Sequence, residues 1–349
     1  MPILGNFYLQ LKGDDLSVFA SDLEISAATT LKVKGEKDGE TTIGAKVFTD
    51  LLKEFPAEPL SVDVSSDEVM TLQGEVVKAK LVGRSALEYP KVDAFLETAN
   101  NKISADDLLE ALTLSVYASS TDESKFLVNA LCFRGVSSPK EPTRFHGYRC
   151  ICTDSSRLAM VTKNTGGLEI PPSFIIPKRG VNELRRFLND ELGAMVGFGV
   201  KEPYLIVESN NSKLCIRLVA GEYPEVEYGV PTEEGDMAII EIQPLLRALR
   251  RASLLIPDKH KAIRFKLESN SLQIFSQSSA IGEVFDELSV EYLGPSYDFG
   301  LNATYLLDAA SAFSDVEKII LEFFGDNGPI KLYPEGNETA LGIIMPMRL

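Results

Sequence analysis

His146, Cys150, Cys152 and Asp154 are the residues of this sequence whose types best suit covalent chemistry. A thiol, a base and a carboxylate can make a cysteine hydrolase. Their spacing argues against it. All four sit at even positions of one strand-like run, so alternation turns them to a single face without the crossing geometry that brings a base to a nucleophile. A zinc site needs more ligands at close spacing, and the chain has only His146 and His260 to add. Cys132, Cys150, Cys152 and Cys215 lie in apolar runs such as Leu131-Cys132-Phe133 and are expected as buried free thiols. There is no G-x-x-x-x-G-K-[ST] and no G-x-S-x-G elbow, and Gly193, Gly197 and Gly199 do not form a dinucleotide fingerprint. No catalytic residue, metal or cofactor is expected.

Basic residues carry more information. The chain has 349 residues and a formal net charge of −16, which argues against nucleic acid only if charge is spread evenly. It is not. Lys178, Arg179, Arg185 and Arg186 fall on one predicted helix, opposite its apolar positions Val181, Leu184 and Leu188. Arg247, Arg250 and Arg251 follow at i, i+3 and i+4 on another, with no acid among them. A third helix offers Lys46 and Lys53 against Asp50 and Glu54, and Lys125 adds an isolated charge. These ten are the expected phosphate contacts. A fourth helix departs, with Asp106, Asp107 and Glu110 and no base. No recognition helix, RNA-binding sheet motif or zinc finger frames the arginines, so contact with the DNA backbone independent of sequence is the reading.

These residues ride on a repeat. A short strand, a helix and several strands recur with a period of roughly 60 residues. Helix starts are predicted near Ala45, Ser104, Lys178, Gln243 and Asn302. Ser104 and Asn302 are suitable N-caps, and Pro244 suits a first turn. Alternating strands fall at Leu16–Ala20, Leu60–Val64, Tyr204–Glu208 and Leu272–Ser276. Pairing the units gives domains 1–99, 100–232 and 233–349, with polar linkers at Glu97-Thr-Ala-Asn-Asn101 and Pro231-Thr-Glu-Glu-Gly-Asp236. Hydrophobic content of 44% and charged content of 25% are those of an ordinary globular protein. No run is long enough to span a bilayer and no basic-then-apolar signal opens the chain, so the cytoplasm is the default expectation.

Four stretches carry a resemblance. Pro2-Ile3-Leu4-Gly5-Asn6, Ser21-Asp22-Leu23-Glu24-Ile25, Cys152-Thr153-Asp154-Ser155-Ser156-Arg157-Leu158-Ala159 and the ending Met345-Pro346-Met347-Arg348-Leu349 resemble the bacterial sliding clamp family, the beta subunit of DNA polymerase III. The resemblance implies an α+β DNA-clamp fold: three similar domains, each of two β-α-β-β-β units, closing head to tail as a homodimeric ring. It implies a non-catalytic processivity factor that encircles duplex DNA and tethers the polymerase III alpha subunit, the clamp loader and other proteins with a clamp-binding motif. Five units are visible where three domains need six. In the family a strand and helix precede the Met1-Pro2-Ile3-Leu4 position, and their loss would open an apolar face on the Ala45 helix. A start placed too late is the expectation, a shortened clamp the alternative. The rival function is a monomeric interaction scaffold built on the same repeats.

Two further sites follow. The resemblance implies a groove for a partner peptide at Val128, Thr153, Asp154, Arg157, Leu158, Pro224, Ile343, Ile344, Met345, Pro346, Met347, Arg348 and Leu349. Leu158, Val128, Ile344, Met345 and Met347 are expected as an adaptable apolar wall, Arg157 and Arg348 as donors at its rim, and Pro346 as the break at which the tail leaves its sheet. Ser155-Ser156 replaces the family's usual Gly-His, and Tyr228 stands where an arginine is common. A subunit interface is expected between two edge strands. Lys78, Lys80 and Leu81 lie on one (Val77 to Val82), and Glu283, Asp286 and Glu287 on the other (Glu283 to Val290), with Leu254 and Leu255 nearby.

Overall fold

The structure, a computed structural model, describes residues 2–91, 93–138, 141–256, 262–278, 280–325 and 327–348. His260 and Leu349 therefore lie outside the described residues. The chain opens on an antiparallel meander, β1 (Asn6–Lys12), β2 (Asp15–Ser21) and β3 (Ile25–Lys32). One pattern then recurs: a single strand enters a helix and a three-stranded meander follows. The first such unit is β4 (Gly39–Gly44), α1 (Ala45–Lys53), then β5 (Ser61–Val64), β6 (Val69–Gln73) and β7 (Lys78–Val82). The second is β8 (Asn101–Ser104), α2 (Ala105–Val116), then β9 (Ala130–Ser138), β10 (Glu141–Thr153) and β11 (Arg157–Leu168). The third is β12 (Ser173–Pro177), α3 (Lys178–Asn189), then β13 (Met195–Lys201), β14 (Tyr204–Glu208) and β15 (Ser212–Arg217). The fourth is β16 (Asp236–Glu241), α4 (Ile242–Leu254), then β17 (Ala262–Glu268), β18 (Ser271–Ser278) and β19 (Gly282–Ser289). The last is β20 (Tyr297–Asn302), α5 (Ala303–Ala312), then β21 (Lys318–Phe323), β22 (Ile330–Pro334) and β23 (Ala340–Ile344). The mixed α+β repeat is the one read from the sequence.

Local chemistry explains the helix starts. The Ser104 hydroxyl accepts the Asp107 N–H at 3.2 Å, and the Asn302 side chain accepts the Thr304 N–H at 3.0 Å. Both satisfy donors that a helix N-terminus leaves unpaired. Leu108, Leu112 and Val116 of α2 and Val181, Leu184 and Leu188 of α3 are buried, as their helical spacing requires. Helix α1 differs. It buries no residue fully, and Phe48, Leu51 and Leu52 lie half-buried against Leu9, Ile43, Met70 and Leu72.

Two compact units emerge. The first, Met1–Ile103 with Met195–Arg217, holds an eight-stranded sheet in the order β4-β1-β2-β3-β15-β14-β13-β8 and a small sheet β5-β6-β7. The second, Ser104–Ala194 with Leu218–Leu349, holds an eight-stranded sheet β12-β9-β10-β11-β23-β22-β21-β16 and a four-stranded sheet β19-β18-β17-β20. Each large sheet is two meanders joined edge to edge, β3 on β15 and β11 on β23. Compactness thus follows the ladders, so residues 195–217 group with the start of the chain. In the second unit α2 packs on α3, and both cover one face of the β9-β10-β11 meander; α4 packs on α5.

The hydrolase-like cluster does not assemble. His146 is exposed at a bulge in β10, Cys150 and Cys152 are buried beneath α2, and Asp154 lies in the turn beyond the strand. All four thiols are buried. Burial pushes Cys132 up to about 11 and Cys215 up to about 12, and Cys150 and Cys152 rise as well. The native fold holds the thiol form more tightly than the unfolded chain, so stability from this source is complete below about pH 9 and declines as pH rises toward 11 to 12. Disulfide-exchange titration at pH 8 is expected to find no fast-reacting thiol in the native protein and four after denaturation in guanidinium.

Candidate functional site

The candidate groove is built on the β10–β11 hairpin and the strand beside it. Thr153 and Leu158 are register partners across the hairpin, and Leu158 in turn pairs with Ile343 of β23. Side chains directly opposite share a face. Thr153, Leu158 and Ile343 therefore stand together, and Leu158 and Ile343 join a cluster with Ile151, Tyr223, Tyr333 and Leu341. Leu127, Met160, Val226 and Val230 pack against it. Pro224 is exposed, but its neighbour Tyr223 reaches in, and the Tyr223 hydroxyl accepts the Thr153 N–H at 3.1 Å. Its burial raises the phenol's pKa and keeps it neutral.

Several expected groove residues go elsewhere. Arg157 and Ile344 are the neighbours of Leu158 and Ile343 along their strands, so alternation sends them to the opposite face. Ile344 is 1% exposed there, a core residue and not part of the adaptable wall. Arg157 is 8% exposed and is no rim donor. Its Nε donates to Asp154 Oδ2 at 3.0 Å, its Nη1 donates to Asp308 Oδ2 at 2.7 Å, and its guanidinium lies 4.3 Å from the Tyr305 ring centroid. Asp154 is equally committed: its Oδ1 accepts the N–H groups of Ser156 and Arg157 at 3.0 and 3.1 Å. Half-buried Val128 lies outside the cluster; Leu127 takes that part. β23 ends at Ile344, and the tail beyond it leaves that sheet but stays anchored. The Met345 N–H donates to Ser156 O at 3.0 Å and the Met347 N–H to Gly300 O at 2.8 Å. Met345 is 46% exposed and Arg348 is exposed, so these two remain available at the surface.

The basic helices divide in the same way. Arg247 and Arg250 of α4 are exposed and make no ion pair among the described residues. Arg179, Lys46 and Lys125 are also exposed, and Lys53 lies 3.9 Å from Asp50. Lys178 turns inward: its Nζ donates to Ser120 O at 3.2 Å, and burial pushes its ammonium below the usual lysine range. Lys178 is thus half-buried and engaged with backbone carbonyls. Arg185 donates to Thr113 Oγ1 at 3.1 Å, and Arg186 pairs with Glu183 at 2.7 Å. Arg251 forms a two-pronged pair with Asp286, at 3.0 and 2.6 Å. That bond ties an expected DNA contact to an expected interface residue.

Family models described as the DNA polymerase III beta subunit N-terminal, central and C-terminal domains match residues 1–93, 102–225 and 229–348. The chain belongs to that family. It is 26% identical over 359 residues to the beta sliding clamp of Pseudomonas putida, covering 100% of this chain and 93% of that protein. The crystal structure of the polymerase III beta subunit from Pseudomonas aeruginosa superposes with a TM-score of 0.91 at 23% identity, covering 100% of this chain and 94% of that one. A Bartonella birtlesii sliding clamp bound to griselimycin gives 0.92 at 23% identity, covering 100% and 92%. The fold is the three-domain clamp fold.

Both strands expected at the clamp interface are sheet edges. In the first unit β7 exposes Lys78, Lys80 and Val82, whereas Leu81 turns inward onto the cluster of Met70 and Leu72. In the second unit β19 exposes Glu283, Phe285 and Glu287, with Leu254 exposed and Leu255 half-buried at the end of α4. Phe285 was not read from the sequence; an apolar residue between two acids on an edge was the available signal. The departure at Ser155 has a backbone cost. Its φ is +81°, a left-handed conformation that favours glycine, the family's usual residue there. Ser155→Gly is expected to stabilise the protein by about 1 kcal/mol, read as a higher denaturant midpoint at unchanged slope.

Proposed function

We propose that this chain is a DNA sliding clamp, a homodimeric ring that encircles duplex DNA and tethers the replicative polymerase. The single observation that carries the reading is the match of three clamp-domain models in order along nearly the whole chain. The domains are 1–99, 100–232 and 233–349, and the protein works in the cytoplasm as a non-catalytic subunit. A ring linked topologically to DNA holds its partner at high effective concentration, so a polymerase that lets go rebinds before it diffuses away. The scaffold alternative is set aside, because relatives aligned over the whole chain are named as beta sliding clamps.

Arg247 and Arg250 are the strongest candidates for sliding contact, being exposed on one helix of an acidic chain. Arg179, Lys46, Lys53 and Lys125 supplement them. Contacts to phosphate alone carry no sequence information, which suits a protein that must move along any duplex. The edges β7 and β19 serve as the two halves of the subunit interface, with Lys78 and Lys80 facing Glu283 and Glu287. The groove at Leu158 takes an extended peptide with Leu and Phe anchors from the polymerase alpha subunit, the clamp loader and other motif-bearing partners.

Loaded onto DNA, the protein is expected to stay on closed circles and to run off when the circle is cut; equal loss from both forms would defeat the ring. Arg247→Ala with Arg250→Ala should lower the salt slope of non-specific DNA binding by about two units, without changing sequence preference. For the interface, Lys78→Glu with Lys80→Glu should give monomers by ultracentrifugation, and reversing Glu283 and Glu287 in the same protein should restore the dimer. A charge-reversed protein that stays dimeric counts against these strands.

A further inference from the structure

Two arginines confront one another on the groove face of the sheet. Arg134 of β9 and Arg149 of β10 are direct register partners. Like charges directly opposite each other destabilise a strand pair. Glu227 resolves the conflict by bridging them: one carboxylate oxygen bonds Arg134 Nη1, and the other accepts from Arg149 Nη1 at 2.7 Å. The three side chains are 24 to 30% exposed, so salt screens the triplet only weakly. Alternation puts this triplet on the face that carries Cys132, Ile151, Thr153 and Leu158.

The consequence is a segment fixed at two points. At its start Tyr223 is bonded to the backbone of Thr153, and four residues later Glu227 is held by the two arginines. Val226 and Val230, on either side, rest on the cluster of Leu158 and Ile343. Between them Tyr228, on the single turn Glu227–Gly229, is 87% exposed. A large ring on backbone that is anchored on both sides yet left in water is suited to contact, since little backbone freedom remains to be lost on binding. Glu222 and Glu225 are exposed on the same segment and in no ion pair among the described residues. The exposed side of this segment is therefore aromatic and acidic.

We infer that Glu227 is a positioning residue for the partner groove, and that the Tyr228 it presents selects peptides with a lysine or arginine flanking their apolar anchors. A cation over the Tyr228 ring, close to Glu225, is the recognition expected. This inference rests on the proposed peptide groove.

The test uses the full-length chain and two synthetic peptides with identical Leu and Phe anchors, one with a Lys-Lys flank and one with Glu-Glu. Calorimetric titration of the unaltered protein is expected to give about fivefold tighter binding of the lysine peptide. Tyr228→Ala should keep anchor binding and lose the preference. Glu227→Gln should weaken both peptides about tenfold and abolish the preference, with a lowered melting midpoint, since the two arginines then face each other unbridged, but with the fold kept at the titration temperature. Glu227→Asp, which keeps the charge but shortens the reach, should recover part of each. The chain has no tryptophan, so Tyr228→Trp gives a single reporter whose emission should shift blue with the lysine peptide and respond less in the Glu227→Gln background. Binding of neither peptide by the unaltered protein would overturn the groove itself. Binding of both with no preference, or a preference that survives Tyr228→Ala, overturns the selectivity; parental affinity in a folded Glu227→Gln overturns the positioning role. Should Glu227→Gln fail to fold, parental affinity in Glu227→Asp overturns the positioning role and an intermediate affinity there supports it.

Discussion

The ladder between β11 and β23 is the constraint on which the second unit depends. It welds two meanders into one eight-stranded sheet and thereby fixes the parity of every residue along the β10–β11 hairpin. Leu158 and Ile343 face the cluster with Tyr223 and Tyr333; Arg157 and Ile344 face the helices. A slip of one residue would exchange the two sets, placing a guanidinium in the groove and a leucine among the charges. The sheet also keeps two surfaces apart, with α2 and α3 over one side of the β9-β10-β11 meander and the candidate groove on the other.

On the helix side, a buried arginine must be fully satisfied to be tolerated. Arg157 meets that condition with Asp154 from its own turn, Asp308 from α5, and the faces of Tyr305 and Tyr117. Its role is to fasten the turn after β10 to a helix distant in sequence. The same turn holds the strained Ser155 and accepts the Met345 N–H through Ser156. Order in the cluster of Leu158 and Ile343 thus rests on a network on the opposite face of the sheet. On the groove side the Arg134–Glu227–Arg149 triplet does comparable work for the opposite wall. In both places charge serves position more than attraction to a ligand.

Charge at the surface follows a different logic. The protein carries −16 overall, yet Arg247 and Arg250 stand together on α4 with no neutralising partner among the described residues. A local cationic face matters more to a polyanion than the sum, because screening at physiological salt confines each charge to about 8 Å. The pairing of Arg251 with Asp286 trims that face, and on α3 Arg186 is paired with Glu183. What remains is sparse, which suits retention by enclosure more than by affinity.

Much of this was legible in the residues alone. Helix starts at Ala45, Ser104 and Asn302, the strand Tyr204–Glu208 and the edge positions of β7 and β19 follow from capping, period and polarity, which are local properties. The family followed from short stretches such as the Met345–Leu349 ending. Which lysines and arginines remain exposed was not legible: Lys178 and Arg247 look alike in sequence, and only packing sends one to the carbonyls near Ser120 and leaves the other in water. Arg157 was misplaced for the same reason. Its partners Asp308 and Tyr305 lie some 150 residues away and are brought to it only when β11 meets β23. Glu227 gave no local signal at all, since its meaning depends on two arginines that become neighbours only when β9 pairs with β10. Sequence determined the elements and the family because both are written in short-range pattern; tertiary structure decided which charged side chains are free, because burial and pairing join residues far apart along the chain.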